Sequence, residues 1–338
     1  MLKTAIFILL ITLPITNGLN LVEPSITIAT SNEVFAAIVR EIVGPYANVF
    51  SILPPGTDPH SYSPTIEDIN KIKSSDLLVL ANPDFLEFER RILENVNDKP
   101  FLTLDNYTKY GLTIIRTGEL TKNYHGYWTH PLNALAISKA VTNALTAIDP
   151  ENKDYYMSKL DLFEEKINSL IDELNKLSSS NNLDELTSVA IIPAVAYILN
   201  ACGISVGVLL VGEPGQTPSP SKYAEVSQKL EQGVYDIIVT DEVTKGSSIG
   251  NLAEQLRDDT KKPLIYIRSL SLGGISDFTA LILYDVGLII GTITGSGTMA
   301  SSGVLNTISI TMIGILTIIA IIEGFIIFKM KRAFKELI

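Results

Sequence analysis

Cysteine is almost missing from this chain: one residue of 338, Cys202. No internal disulfide can form, so stability has to come from the core, and the lone thiol reads as a buried, inert small hydrophobe. Histidine is scarce too, with only His60, His125 and His130. Spread so widely, these three leave no general base beside a metal-bound water, which argues against a metal-dependent hydrolase. A glycine-rich phosphate loop and a Ser-His-Asp spacing are both missing, so no covalent chemistry is expected. Positive charge is in deficit as well, with 26 Lys and Arg against 37 Asp and Glu and a net charge of -11. That balance argues against nucleic acid as a partner.

Hydrophobicity, by contrast, is plentiful, with a mean hydropathy of +0.27, and both ends contribute to it. Residues 1–18, MLKTAIFILLITLPITNG, place Lys3 before a short apolar run and then Pro14, the layout of a secretory signal peptide and too short to span a bilayer. Residues 305–328, LNTISITMIGILTIIAIIEGFIIF, are long enough to cross a hydrocarbon layer of about 30 Å and are expected to form a transmembrane helix. The basic tail 329–338, with Lys329, Lys331, Arg332 and Lys335, then stays in the cytoplasm and leaves the bulk of the chain outside as a single-pass cell-membrane protein. Glu323 lies close enough to the inner interface to snorkel.

Between these ends the pattern alternates strand and helix. SITIAT, NVFSIL and DLLVLA are strand-like, and each is followed by a stretch of 3.6-residue apolar spacing. This predicts an N-terminal α/β lobe over 19–150 with a mostly parallel sheet. Residues 151–180 carry one apolar stripe through Tyr156, Leu160, Phe163, Ile167, Leu170, Ile171 and Leu174. A helix of about 40 Å is longer than one lobe needs and suits a connector. The rhythm resumes in a second α/β lobe over 181–291, and 292–304 reads as a flexible tether without apolar period. The expected fold class is therefore α/β: two Rossmann-like lobes with parallel sheets joined by a long connecting helix, plus the C-terminal transmembrane helix.

In open α/β sheets ligands sit at the carboxyl ends of strands. His60 follows NVFSIL within the proline-stiffened ILPPGTDPHSYSPT, and Asp241 with Glu242 follow YDIIVT. His125 precedes the helix that begins near Pro131. Imidazole and carboxylate converging on a cleft suit a divalent cation, zinc above all.

PPGTDPHSYSPTIEDINKI resembles the metal-binding loop of the zinc and manganese solute-binding proteins of ABC transporters, with its pattern PPG-x-DPH-x-Y-x-PT-x-x-DI. WTHPLNALAISKA, AIDPENKDYY and PSPSKYAEV are similar to further segments of that family, and the resemblance runs from Ser25 to about Ile290. It implies that His60 is a metal ligand, that zinc or manganese is the bound solute, and that the partner is an ABC permease in the same membrane. The chain also departs from the pattern. The family's second histidine falls on Gly126, one residue after His125; its third ligand falls on Ile192 and its fourth near Arg268 or Ser269. The expected metal set is thus His60, His125, Asp241 and Glu242, with His130 as a helix cap or solvent-facing residue and Tyr127 and Trp128 as cleft packing. The alternative is a metal-free structural or adhesive surface protein that keeps the two-lobe fold, which Ile192 and Arg268 favour.

Overall fold

The computed structural model describes residue 24 and residues 26–96, 98–212 and 216–295. In the first lobe β1 (Ile26–Thr30), α1 (Glu33–Val43), β2 (Ala47–Ser51), α2 (Ile66–Lys73), β3 (Leu77–Val79), α3 (Glu87–Asn95) and β4 (Phe101–Leu102) alternate before α4 (Leu104–Thr108) and α5 (Pro131–Ile148). The long helix α6 (Lys153–Asn181) leads to the second lobe. There β5 (Thr187–Ala190), α7 (Ala196–Ala201), β6 (Ser205–Leu209), α8 (Pro220–Glu231), β7 (Ile237–Asp241), α9 (Ser248–Thr260), β8 (Leu264–Ile267) and α10 (Phe278–Ile293) follow. The sheets have the orders β2-β1-β3-β4 and β6-β5-β7-β8, and every pairing is parallel.

Local chemistry sets the element ends. The Asn32 side chain accepts from Val34 N and Phe35 N and starts α1. Thr65 and Asp68 form a reciprocal capping box on α2. Asp277 accepts from Ala280 N at the start of α10. Helix α6 ends at Asn182, whose φ of 52° is left-handed, a conformation asparagine tolerates. The α6 stripe is buried as its spacing predicts, from Tyr156 through Leu160, Phe163, Ile167 and Leu170 to Leu174, while Ile171 is only partly covered.

Helix α6 is less a link than a spine. It packs on α1 and α5 of the first lobe and on α10 of the second, and one continuous apolar core includes residues of both lobes. Polar bonds add to this: Lys166 pairs with Glu41 at 2.7 Å and with Asp277. The Glu33 carboxylate accepts from Ser271 Oγ and Leu272 N at 2.8 and 2.9 Å.

The expected fold class needs one correction. Among the described residues no helix is long and apolar enough to cross a membrane. The most apolar one, α10, has 16 residues, carries Asp285 within its buried face and packs against β8 and α6. At 1.5 Å per residue it spans about 24 Å, short of a hydrocarbon layer. The transmembrane helix expected over 305–328, the tail 329–338 and the signal 1–18 lie outside the described residues. Among the described residues the fold is the two-lobe α/β unit, and the single-pass topology with a cytoplasmic C-terminus is withdrawn.

Candidate metal centre

His60 sits in the loop between β2 and α2, and the residues around it each hold part of that loop. Its own N–H donates to Asp58 Oδ1 at 3.0 Å, and the N–H groups of Ser61 and Tyr62 donate to Asp58 O. Asp68 Oδ2 accepts from Tyr62 OH at 2.9 Å and from Thr65 N at 2.8 Å. The imidazole meets the edge of Phe85 with ring centroids 5.5 Å apart. A loop tied at Asp58 and Asp68 presents one ring in one place.

His125 arrives from the chain before α5 and lies beside it, with ring centroids 5.4 Å apart. The next residue, Gly126, has a φ of +73°. The glycine is required twice over, because a Cβ there would stand 2.3 Å from Ala194 O in the second lobe.

The tautomer of His125 follows from its neighbour. The Asn123 amide donates to Pro193 O at 2.9 Å and to Thr117 Oγ1 at 3.0 Å, so Asn123 Oδ1 is the side that faces His125. That oxygen accepts from His125 N at 3.0 Å and lies 3.2 Å from His125 Nδ1. The ring therefore carries its proton on Nδ1, and Nε2 keeps its lone pair. Nε2 is buried without a hydrogen-bond partner. Burial, and then the neighbouring His60, hold the His125 pKa down at about 4, so the ring is neutral at physiological pH. A carbonyl on Nδ1 and a bare, neutral Nε2 make up the arrangement by which proteins orient a histidine toward a metal.

The acidic half of the expected set is placed elsewhere. Asp241 ends β7, and its carboxylate accepts from Ser269 N at 2.6 Å, Ser269 Oγ at 2.5 Å and Val243 N at 2.8 Å. Its burial raises its pKa against those donors. Glu242 accepts from Arg268 Nε at 2.8 Å and pairs with Lys245 at 3.1 Å. Burial works against the charged form, but Arg268 and Lys245 hold Glu242 below its ordinary value. Among the described residues no three His, Cys, Asp or Glu side chains gather closely enough to hold a metal ion. His130 caps α5, its Nδ1 accepting from Leu132 N at 3.3 Å.

His60 and His125 both line a cavity of about 320 Å³ between the carboxyl ends of the two sheets. Its wall is largely apolar, with Phe85, Tyr124, Ile192, Val243, Ile249 and Leu270 among the lining residues. Ile192 thus stands in the cleft where the family pattern expects a ligand. Trp128 also lines it and donates from Nε1 to Ser269 O at 2.6 Å across the lobe boundary.

Sequence reasoning passed over two residues here. Asn123 gives no motif signal, because its role depends on a fold-dependent contact with Pro193. Glu89 could have been found: it falls on the apolar stripe Phe85, Glu89, Ile92, Val96 of helical spacing. It is fully buried and accepts from Ser31 Oγ, from Ala81 N at 2.8 Å and from Asn82 N at 2.8 Å. It thereby pins the carboxyl ends of β1 and β3 under the cleft floor, and burial lifts its pKa to about 7 against those three donors.

The family model of ZnuA, described as zinc-uptake complex component A, periplasmic, matches residues 28–282. The metal ABC transporter substrate-binding lipoprotein FimA of Streptococcus parasanguinis is 25% identical over 216 residues, 61% of this chain and 68% of its own length. The manganese ABC transporter substrate-binding lipoprotein PsaA of Streptococcus pneumoniae is 25% identical over 220 residues with the same coverage. Among solved structures, FpvC of Pseudomonas aeruginosa in complex with Mn2+ superposes with a TM-score of 0.67 at 18% identity, over 80% of this chain and 99% of that one. The laminin-binding protein Lmb of Streptococcus agalactiae, a bifunctional protein with adhesin and metal-transporting activity, gives 0.67 at 20% identity over 79% and 99%. At such identities the superpositions speak for the fold. The family match covers both lobes and the cleft they enclose, and the chain therefore belongs to the ZnuA family of solute-binding proteins, the capture components of metal ABC transporters and not enzymes.

Proposed function

We propose that this chain captures a divalent metal, zinc or manganese, through His60 and His125 in the interlobe cleft and passes it to an ABC permease. The observation that carries the reading is the buried, unpartnered Nε2 of His125, whose ring lies 5.4 Å from that of His60. Neutral imidazole nitrogen is a good ligand for zinc, whereas manganese favours oxygen donors, and a buried acceptor without a partner is costly unless something fills it. Asp241 and Glu242 are left out of the ligand set, because Ser269 and Arg268 already occupy their carboxylates. The test is calorimetry of zinc and manganese on the metal-stripped protein and on His60→Ala and His125→Ala. Heat with the parent protein that either substitution removes is the expected result.

A second reading keeps the fold without the metal, as an adhesive surface protein. It is favoured by the absence, among the described residues, of any three-donor cluster. No heat and no melting shift with either ion would make it the better account.

A further inference from the structure

The cavity is larger and more apolar than a bare ion requires. At about 320 Å³ it lies in the range of small-molecule pockets and would take roughly ten waters at 30 Å³ each. Lobe closure would not remove that space, because wall residues already touch across the boundary. Gly126 lies against Ala194 O, and Trp128 is bonded to Ser269 O. Asn123 adds a further bond to Pro193 O.

Charge points the same way. Two imidazoles bring no counter-charge, and Asp241 and Glu242 are bonded to Ser269 and Arg268. A naked dication losing its water among Phe85, Ile192, Val243 and Ile249 would find one carboxylate in the wall, Asp58, which already accepts from His60 N, and the polar side chains of Asn82, Thr244, Ser247 and Ser248, too little charge to balance it. An anionic chelator carrying the metal would supply the charge, the missing ligand atoms where Ile192 stands, and a flat apolar body for the wall.

Building on the metal-binding reading above, we propose that the cargo is a divalent metal already held in a small anionic aromatic chelate, with His60 and His125 closing its open coordination positions and Phe85, Tyr124, Ile192 and Ile249 packing on the ring. The probe is zinc dipicolinate, a neutral 1:1 complex that leaves coordination sites free. Calorimetry on the full chain compares zinc alone, dipicolinate alone and the complex. The complex should bind about tenfold or more tightly than zinc alone, the factor that about 1.4 kcal/mol of buried ring surface supplies. Dipicolinate alone should give no heat.

A site for bare zinc behaves oppositely, since the chelator then competes for the ion and weakens apparent binding. That result would overturn this inference and leave the metal reading standing. Binding of neither zinc nor its complex would overturn both. Dipicolinate binding as tightly without zinc as with it would also overturn this proposal, the cleft then being an organic-anion site. Ile192→Glu, which adds a ligand and a charge to the wall, should reverse the order and favour bare zinc; an unchanged order would count against the chelate.

Discussion

At the scale of single residues, the cleft depends on Asn123. Its amide faces the His125 ring with oxygen and the second lobe with nitrogen, so one side chain fixes a tautomer and joins two lobes. Asn123→Ala is expected to lower zinc affinity about 10- to 100-fold while both histidines remain. It should also cost about 1–3 kcal/mol in urea unfolding, because buried Pro193 O loses its donor. Calorimetry and denaturation on one preparation check both. His125 gives a pH prediction. Its pKa is lowered to about 4 in the fold, against about 6.5 in the unfolded chain. Its contribution to stability is complete above pH 6.5 and is lost as the pH falls toward 4, by on the order of 3 kcal/mol. The pH profile of urea stability should therefore fall less steeply over that window in His125→Gln than in the parent. Sequence showed that His60 and His125 belonged near one cleft. It did not show the orphaned nitrogen, which exists only when Asn123 and Pro193 meet from 70 residues apart.

At the scale of elements, helices and strands followed their periods closely. Strand SITIAT became β1, the striped connector became α6, and FTALILYDVGLIIGTI became α10. Periodicity tells which face is buried but says little about a polar residue on that face. Glu89 on α3 and Asp285 on α10 both lie there fully buried, and each holds a loop. Asp285 accepts from Arg268 N with both oxygens at 3.2 Å, and burial lifts its pKa to about 8. Glu89→Gln is expected to cost about 1–3 kcal/mol, since the new NH2 faces a backbone N–H where the carboxylate accepted one. In the parent, the raised pKa of about 7 means that Glu89's share of stability is fully present below about pH 4.5 and lost as pH rises through 7. The glutamine variant should lack that alkaline loss in melting curves taken between pH 5 and 8; an identical slope would show that Glu89 stays charged throughout. Asp241, at the end of β7 where a ligand was expected, accepts from Ser269 N and Oγ, bonds across the sheet end that no motif signals.

At the scale of the whole molecule, the lobes share a core and a spine, so they should melt together. Thermal unfolding of the full chain is expected as one cooperative transition over residues 26–295, and two separated transitions would contradict the continuous core. Lys166 tests the polar part of that union. Lys166→Met leaves Glu41 and Asp277 facing each other without their cation. It should destabilise the fold by about 1–3 kcal/mol near neutral pH and by less below pH 4 as the acids protonate.

The spine also bears on how cargo comes and goes. A single helix packed into both lobes leaves no narrow waist about which they could swing, so this receptor would work as a socket and not as a jaw. Small-angle scattering curves recorded with and without cargo should then superimpose. A permease could not tell full from empty by overall shape and would have to read the rim, where the His60 loop borders α2.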